Sequence, residues 1–464
     1  MPDDPATPAA TFDPSSAIRS DTDAAIRRAP MADPSHPTSL EMDVPTDCLI
    51  GGVWRPASDG GSFDVEDPAT GDAITSVASA TVDDGIAAVA AAHDALPSWA
   101  ATPPRDRAEI LRRAFEIMTE RREEIARLIV LENGKALTDA RGETAYAAEF
   151  FRWYAEEAVR ALGALLTAPG GNNRIMVMHQ PVGVAVLVTP WNFPAAMATR
   201  KIGPALAAGC SVVLKPASDT PLTALLLASI LEEAGTPPGV VNVVPSRRSG
   251  AIVSAMLHDP RVRKLSFTGS TEVGRILLRE AADNVINASM ELGGNAPFLV
   301  FDDADIDAAV DGAMVAKMRN GGEACTAANR FYVQRGIADE FTRLLAERMG
   351  SMRMGPGLDP DTEVGPLVNA AAVTDVHGLV ESAVAEGAVA ATGGTPEDGD
   401  GYFYPPTVLT NVAPDAELLR HEIFGPVAPI VLFDDEDEAI RLANDTEYGL
   451  VAYVYTSDLA RGLR

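Results

Sequence analysis

Val182-Gly-Val-Ala-Val-Leu-Val-Thr189 is a near-continuous apolar, β-branched run, followed by a helical pattern over 195–208 and then by Ser211-Val-Val-Leu214. A strand with one wet face alternates apolar and polar residues, so a run without alternation fits a parallel strand covered on both faces. Short apolar runs recur at 240–244 and 265–267, helical patterns fill 222–234 and 250–257, and Gly209 and Gly235 stand where helices stop. Strand alternating with helix in this way predicts a doubly wound parallel sheet that binds ligands at the carboxyl ends of its strands.

A second alternation starts at Pro297-Phe-Leu-Val300, passes through a helix over 305–318 and resumes at 429–433, 436–444 and 450–455, predicting a second α/β domain. Upstream, helical spacing over 83–96 and 104–131 predicts amphipathic helices, with Pro103-Pro104 suited to the first turn of the second. Residues 174–179 alternate as a strand does, part of a hairpin. Residues 1–45 are rich in Asp, Pro, Ala, Ser and Thr without periodicity, the composition of a disordered acidic tail.

The chain has 464 residues, 47% hydrophobic and 22% charged, which is the balance of a multi-domain globular protein. Asp and Glu total 66 against 37 Lys and Arg, for a net charge of −29, with only five lysines. Such a field repels nucleic acid and anionic membranes and suits a salt-adapted, halophilic protein. Cys48, Cys210 and Cys325 are too few and too scattered for a disulfide framework or a Cys-rich metal site. A reducing cytoplasm and no metal are expected. No apolar run approaches the ~18 residues of a membrane helix, and Arg27-Arg28 lacks the apolar stretch of an export signal.

Gly269-Ser-Thr-Glu-Val-Gly274 follows a predicted strand and opens a predicted helix, which fits either a phosphate cradle or a tight turn. Lys215 and Ser218 follow the 211–214 strand at the nucleotide-binding edge, where a lysine can equally be solvated. Cys325 lies in Arg319-Asn-Gly-Gly-Glu-Ala-Cys-Thr-Ala-Ala-Asn329, read as the approach to a helix whose N-terminus would favour a thiolate. Cys210 reads as core. Glu291, before Leu-Gly-Gly294, is a carboxylate that could serve as a general base or as a turn residue.

Taken in order, Trp191-Asn-Phe-Pro194, Lys215-Pro216, Phe267-Thr-Gly-Ser270, Glu291-Leu-Gly-Gly294, Gly322-Glu-Ala-Cys325 and Glu422-Ile-Phe-Gly-Pro426 resemble the aldehyde dehydrogenase superfamily. The resemblance covers residues from about 46 to 464. Within the superfamily the chain is most similar to the NADP-dependent succinate-semialdehyde dehydrogenases. It implies an α/β fold of two doubly wound domains with a small β oligomerisation element. The NAD(P)-binding domain is expected over 46–162 and 182–290, the oligomerisation hairpin over 163–181 and the catalytic domain over 291–464.

The resemblance implies that Cys325 attacks the aldehyde, that Asn192 and the Cys325 backbone N–H hold the oxyanion, and that Glu291 activates water for thioester hydrolysis rather than transfer to coenzyme A. It implies cofactor contacts from Thr189, Pro190, Trp191, Lys215, Ser218, Gly250, Phe267, Gly269, Ser270, Leu292, Glu422 and Phe424. NAD-preferring relatives carry Glu where this chain has Ser218, and a carboxylate there would repel a 2′-phosphate by roughly 1–4 kcal/mol. NADP is therefore expected, with NAD possible. Arg200 and Arg319 fall at substrate-tunnel positions, where they would clamp a distal carboxylate. The implied substrate is succinate semialdehyde, with another carboxylated aldehyde such as glutarate semialdehyde as the alternative. Ala327 replaces a second cysteine common in relatives, so no disulfide switch is expected. The family continues beyond the position of Arg464 with a substrate-loop segment and a strand used in assembly. A homodimer or homotetramer is implied if that segment is dispensable, and a truncated, catalytically silent nucleotide- or subunit-binding chain is the alternative.

Overall fold

The computed structural model describes residues 42–397 and 399–464. The tail expected over 1–45 lies outside the described residues except for 42–45, where Val44 is already buried.

Two short hairpins open the described chain, β1 (Cys48–Ile50) with β2 (Val53–Arg55) and β3 (Ser62–Glu66) with β4 (Ala73–Ala78). Four helices follow: α1 (Val82–Ala101), α2 (Pro104–Glu120), α3 (Arg122–Asn133) and α4 (Leu137–Ala158). The single helix expected over 104–131 is thus two, because Arg121 at φ −90°, ψ 18° breaks it. Apolar spacing runs straight through the break, so periodicity misses it. No expected helix corresponds to α4, whose apolar stripe is blurred by buried Glu143 and Thr144. Beyond it, β5 (Ala164–Thr167) and β6 (Arg174–Val177) form an exposed antiparallel hairpin, with Leu165 71% and Met176 69% accessible.

The alternation read from 182 onward is β7 (Val184–Val188), α5 (Pro194–Ala208), β8 (Val212–Lys215), α6 (Leu222–Glu233), β9 (Val241–Val243), α7 (Ser249–His258), β10 (Val262–Thr268), α8 (Thr271–Asp283) and β11 (Asn287–Glu291). These strands lie in the order β11-β10-β7-β8-β9-β1-β2. Neighbours from β11 to β9 are parallel, whereas β1 pairs antiparallel with β9, so the sheet is mixed at one edge and not wholly parallel. The reason β7 is apolar throughout is visible in its packing: Val184, Val186 and Val188 enter the core on one face, Ala185 and Leu187 the core on the other. Each such Val or Leu contributes ~1.5–3 kcal/mol by its burial. Val188 pairs with Lys215 and with Phe267, and Thr268 pairs with Glu291. The carboxyl ends of β7, β8, β10 and β11 therefore lie level.

The second sheet is built from β12 (Ala296–Val300), α9 (Ile306–Met318), β13 (Ala328–Gln334), α10 (Ala338–Gly350), α11 (Ala370–Ala385), β14 (Val389–Thr392), β15 (Thr407–Thr410), β16 (Val427–Phe433), α12 (Glu436–Asn444), β17 (Tyr453–Tyr455) and α13 (Leu459–Leu463). Its order is β14-β15-β16-β13-β12-β17, parallel except for β14. The final strand is shorter than the 450–455 expected, since Leu450 at φ 93° is not extended. Phe298 is fully buried at its centre, with ring centroids of Phe331 and Tyr455 each 5.1 Å away. Among the described residues no helix is long and apolar enough to cross a membrane.

Truncating that central ring leaves a void its neighbours cannot fill. Phe298→Ala is expected to cost ~3–5 kcal/mol, read as a lower midpoint in urea unfolding, and an unchanged midpoint would show that the ring cluster does not hold this sheet together.

Candidate active site

The level carboxyl edge of the first sheet faces the segment that runs from α9 into β13, and a cavity of about 300 Å³ lies between them. Its walls include Pro190, Trp191, Asn192, Arg200, Gly269, Ser270, Leu292, Arg319, Cys325, Glu422 and Phe424. Residues separated by more than two hundred positions thus meet at one place.

Close backbone approach makes this possible. A Cβ on Gly294 would sit 2.5 Å from the Cys325 carbonyl oxygen, and one on Gly293 would sit 2.2 Å from Glu422 Oε2. Gly269 lies over the ring of buried Phe267, 2.6 Å from where its Cβ would be. Gly294, which meets main chain, leaves no room for a side chain, whereas Gly293 faces the movable end of the Glu422 side chain. Phe424, at φ 52°, is a bulky residue in the left-handed region, where its ring meets Trp191 edge-on at 5.3 Å.

Cys325 is half-buried in a turn that leads into β13. The helix expected after it is absent, because Ala328-Asn-Arg-Phe-Tyr-Val-Gln334 is a buried strand. The expected lowering of the thiol fails with it. Burial pushes the Cys325 thiol up, Glu422 and Glu291 add to this, and Arg200 opposes it. The Asn192 side chain spends one amide N–H on the Glu323 carbonyl at 2.9 Å, which fixes the amide plane and leaves the second N–H free. Asn320 Nδ2 donates to the same carbonyl at 3.1 Å.

Glu291 ends β11 and is exposed; it is not part of the cavity wall, and its own carbonyl accepts from Gly269 N at 3.1 Å. Its charge acts on Cys325 and on Lys201, whose buried ammonium is pushed down to about 7 by desolvation and donates to Ser266 Oγ at 3.0 Å. Glu422 is pushed up to about 7 by burial, opposed by the Gly294 N–H 3.1 Å from Oε1 and by the charge of Lys317.

The remaining expected residues lie outside this cavity. Thr189 and Lys215 are buried at the ends of β7 and β8, and burial pushes Lys215 down to about 8. Ser218 lines a separate cleft of about 370 Å³ together with Arg247 and Asp219. Gly250 is exposed in the first turn of α7, and a Cβ there would meet nothing within 4 Å.

A dinucleotide fits what this edge offers. Thr268 Oγ1 is buried, lines the cavity beside Gly269 and makes no hydrogen bond within the chain. Lys215 Nζ has no hydrogen bond or ion pair among the described residues and feels only the more distant charge of Asp219.

Arg200 and Arg319 both line the cavity, and neither has a carboxylate within 4.0 Å among the described residues. Arg319 lies over the Phe193 ring at 5.0 Å and Arg200 over the Phe150 ring at 5.6 Å. Aromatic faces orient the guanidiniums without neutralising them. Sequence reasoning missed Tyr146, Phe193, Met197 and Thr268 as wall residues. Met197 could have been found, being one helical turn before Arg200, and Thr268 from its place after Phe267; Tyr146 comes from α4 and carried no signal.

Residues 54–464 match the aldehyde dehydrogenase family. Over 391 residues the chain is 58% identical to a succinate-semialdehyde dehydrogenase of Paenarthrobacter nicotinovorans, spanning 84% of this chain and 87% of that protein. It is 47% identical over 415 residues to a glutarate-semialdehyde dehydrogenase of Pseudomonas aeruginosa, spanning 89% of this chain and 86% of that one. Among solved structures, an NADP-dependent enzyme of Escherichia coli superposes with a TM-score of 0.89 at 47% identity, covering 91% of this chain and 87% of the other.

Because the thiol is raised, alkylation of Cys325 by iodoacetamide should keep accelerating above pH 8.5, while buried Cys48 and Cys210 stay unlabelled. Arg200→Ala removes the opposing positive charge and should slow labelling at fixed pH roughly twofold. Labelling that levels off by neutral pH would contradict the raised thiol.

Proposed function

The chain belongs to the aldehyde dehydrogenase family, and on that premise we propose that it oxidises succinate semialdehyde to succinate with NADP. The observation that carries the substrate assignment is the pair of guanidiniums, Arg200 and Arg319, free of carboxylate partners in the Cys325 cavity. A distal carboxylate would accept from both, and an uncharged aldehyde would leave both unpaired.

Cys325 gives its thiol proton to solvent water and as thiolate attacks the aldehyde carbon, forming the C–S bond and an oxyanion. The free N–H of Asn192 and the Cys325 backbone N–H donate to that oxyanion; fixed donors in a dry site need no reorganisation as charge develops. A nicotinamide held beside Cys325 would supply the hydride acceptor, and the carbon on Cys325 would then be left as a thioester. Glu291 takes a proton from water, which adds to the thioester and releases the acid and the thiol. Glu422 would hold the nicotinamide ribose and Phe424 would flank the ring. Trp191, Pro190, Gly269, Ser270 and Leu292 would line the approach, with Thr189, Phe267 and Gly250 behind or beside them. Lys215 and Ser218 would receive the adenosine end, where positive charge and the lack of a carboxylate at 218 favour a 2′-phosphate. The exposed β5–β6 hairpin would pair with another copy of the chain. Glutarate semialdehyde is the second reading, favoured by the Pseudomonas relative; one methylene changes binding by only ~1–3 kcal/mol. The net charge of −29 supports a salt-adapted protein working in a salty cytoplasm.

NADP reduction with succinate semialdehyde, glutarate semialdehyde and butanal tests the assignment. Cys325→Ala should abolish turnover without unfolding the protein. Arg200→Leu and Arg319→Leu should each lower kcat/KM for the semialdehyde by about 10- to 100-fold and leave butanal little changed. Equal rates with butanal and semialdehyde would reject the arginine clamp. Ser218→Glu should shift preference toward NAD by about fivefold to several hundredfold; an unchanged ratio would mean the ribose lies elsewhere. The thermal midpoint should rise between about 0.1 M and about 1 M KCl, as the Debye length falls from ~10 Å to ~3 Å, and a salt-independent midpoint would argue against salt adaptation.

A further inference from the structure

Lys135 and Glu143 form an ion pair at 2.7 Å with side chains 1% and 0% exposed, and no step described above uses it. Lys135 follows Gly134, the C-cap of α3 at φ 90°, and Glu143 lies on α4. A buried pair of this kind loses its hydration, and each remaining donor and acceptor needs a partner.

Those partners all belong to the segment that carries Asn192. Lys135 Nζ donates to Glu143 Oε2 and to the carbonyl of Asn192, each at 2.7 Å, and its ammonium lies 4.3 Å from the centre of the Phe193 ring. Glu143 Oε1 accepts from Ala195 N at 2.8 Å and Ala196 N at 3.2 Å, in the first turn of α5, where a carboxylate is favoured by the helix dipole. The pair thus grips the chain on both sides of Phe193-Pro194. Asn320 Nδ2 adds a second donor to the Asn192 carbonyl at 3.2 Å, while Asn320 N donates to Asp139 Oδ2 at 3.1 Å. The peptide that follows Asn192 is therefore held by a charge-assisted bond from Lys135 and a neutral one from Asn320, and the Asn192 side-chain amide by the Glu323 carbonyl.

We infer that Lys135, held by Glu143, is a positioning residue that sets the orientation of Asn192 for the reaction at Cys325. The inference rests on the oxyanion role proposed above for Asn192. It assigns a purpose to charge at a place where neutral side chains could hold the fold: an ammonium bonded to the Asn192 carbonyl stiffens the peptide whose side chain must meet a transient oxyanion. Misplacement of a reacting or stabilising group by an ångström is enough to lower a rate about 100-fold.

Removing one partner alone would leave an unpaired buried charge, so the deciding variant is the neutral double Lys135→Met/Glu143→Gln, which keeps an acceptor for Ala195 N. The measurements are the thermal midpoint, NADPH affinity by fluorescence titration, alkylation of Cys325, and kcat and KM for succinate semialdehyde. A positioning role predicts NADPH affinity and Cys325 alkylation near wild type, KM within about twofold, and kcat lower by about 10- to 100-fold. It also predicts that Asn192→Ala, which lowers kcat in the wild-type background, lowers it much less in the neutral double variant. Wild-type kcat in a stable neutral variant, or full additivity with Asn192→Ala, overturns the inference while leaving the proposed function standing. Wild-type protein that oxidises no semialdehyde overturns the proposed function and this inference with it.

Discussion

The approach of main chain to main chain where the two sheets meet is the constraint on which the rest of the molecule depends. The Cys325 carbonyl presses on Gly294 and the Gly425 carbonyl presses on Gly322, each closer than a Cβ would allow, while the side-chain carboxylate of Glu422 lies against Gly293. At this seam the strand ends of the first sheet and the turn before β13 enclose one cavity. The strand register then does the rest, since level carboxyl ends present Thr268 and Glu291 side by side.

This enclosure also explains the electrostatics. Lys201, Glu422 and Lys317 are all moved to about 7 by burial, the cations downward and the acid upward. The same burial pushes the Cys325 thiol up, with the charges of Glu422 and Glu291 adding to it and Arg200 opposing it. Arg200 and Arg319 stand out against this background, as cavity-lining guanidiniums with no carboxylate within 4.0 Å among the described residues.

Much of this was legible in the chain itself. The β7–α5–β8 alternation declared itself because both faces of the sheet are covered, which forces apolar residues into every position, and the six motifs located Cys325, Asn192 and Glu422 within one resemblance. What escaped were features set by distant partners. The strand after Cys325 reads as helix-compatible until β12 and β16 flank it. The break at Arg121 changes one ψ angle and no pattern. No pattern in the sequence marks Lys135 or Glu143, and the carbonyl of Asn192, 57 positions on from Lys135, shows what the buried pair holds.

Arg200 and Arg319 lie within a molecule whose net charge is −29. An anion drifting in from solution is repelled by the molecule as a whole and attracted only once it reaches the cavity mouth, so capture quickens as salt screens the outer field. Oxidation of a carboxylated aldehyde turns a monoanion into a dianion. On the proposed reading the arginines would hold one end of it, while the surrounding field acts on twice the charge. The acidic surface would therefore disfavour a bound product twice as strongly as a bound substrate, so the field that slows entry would speed release.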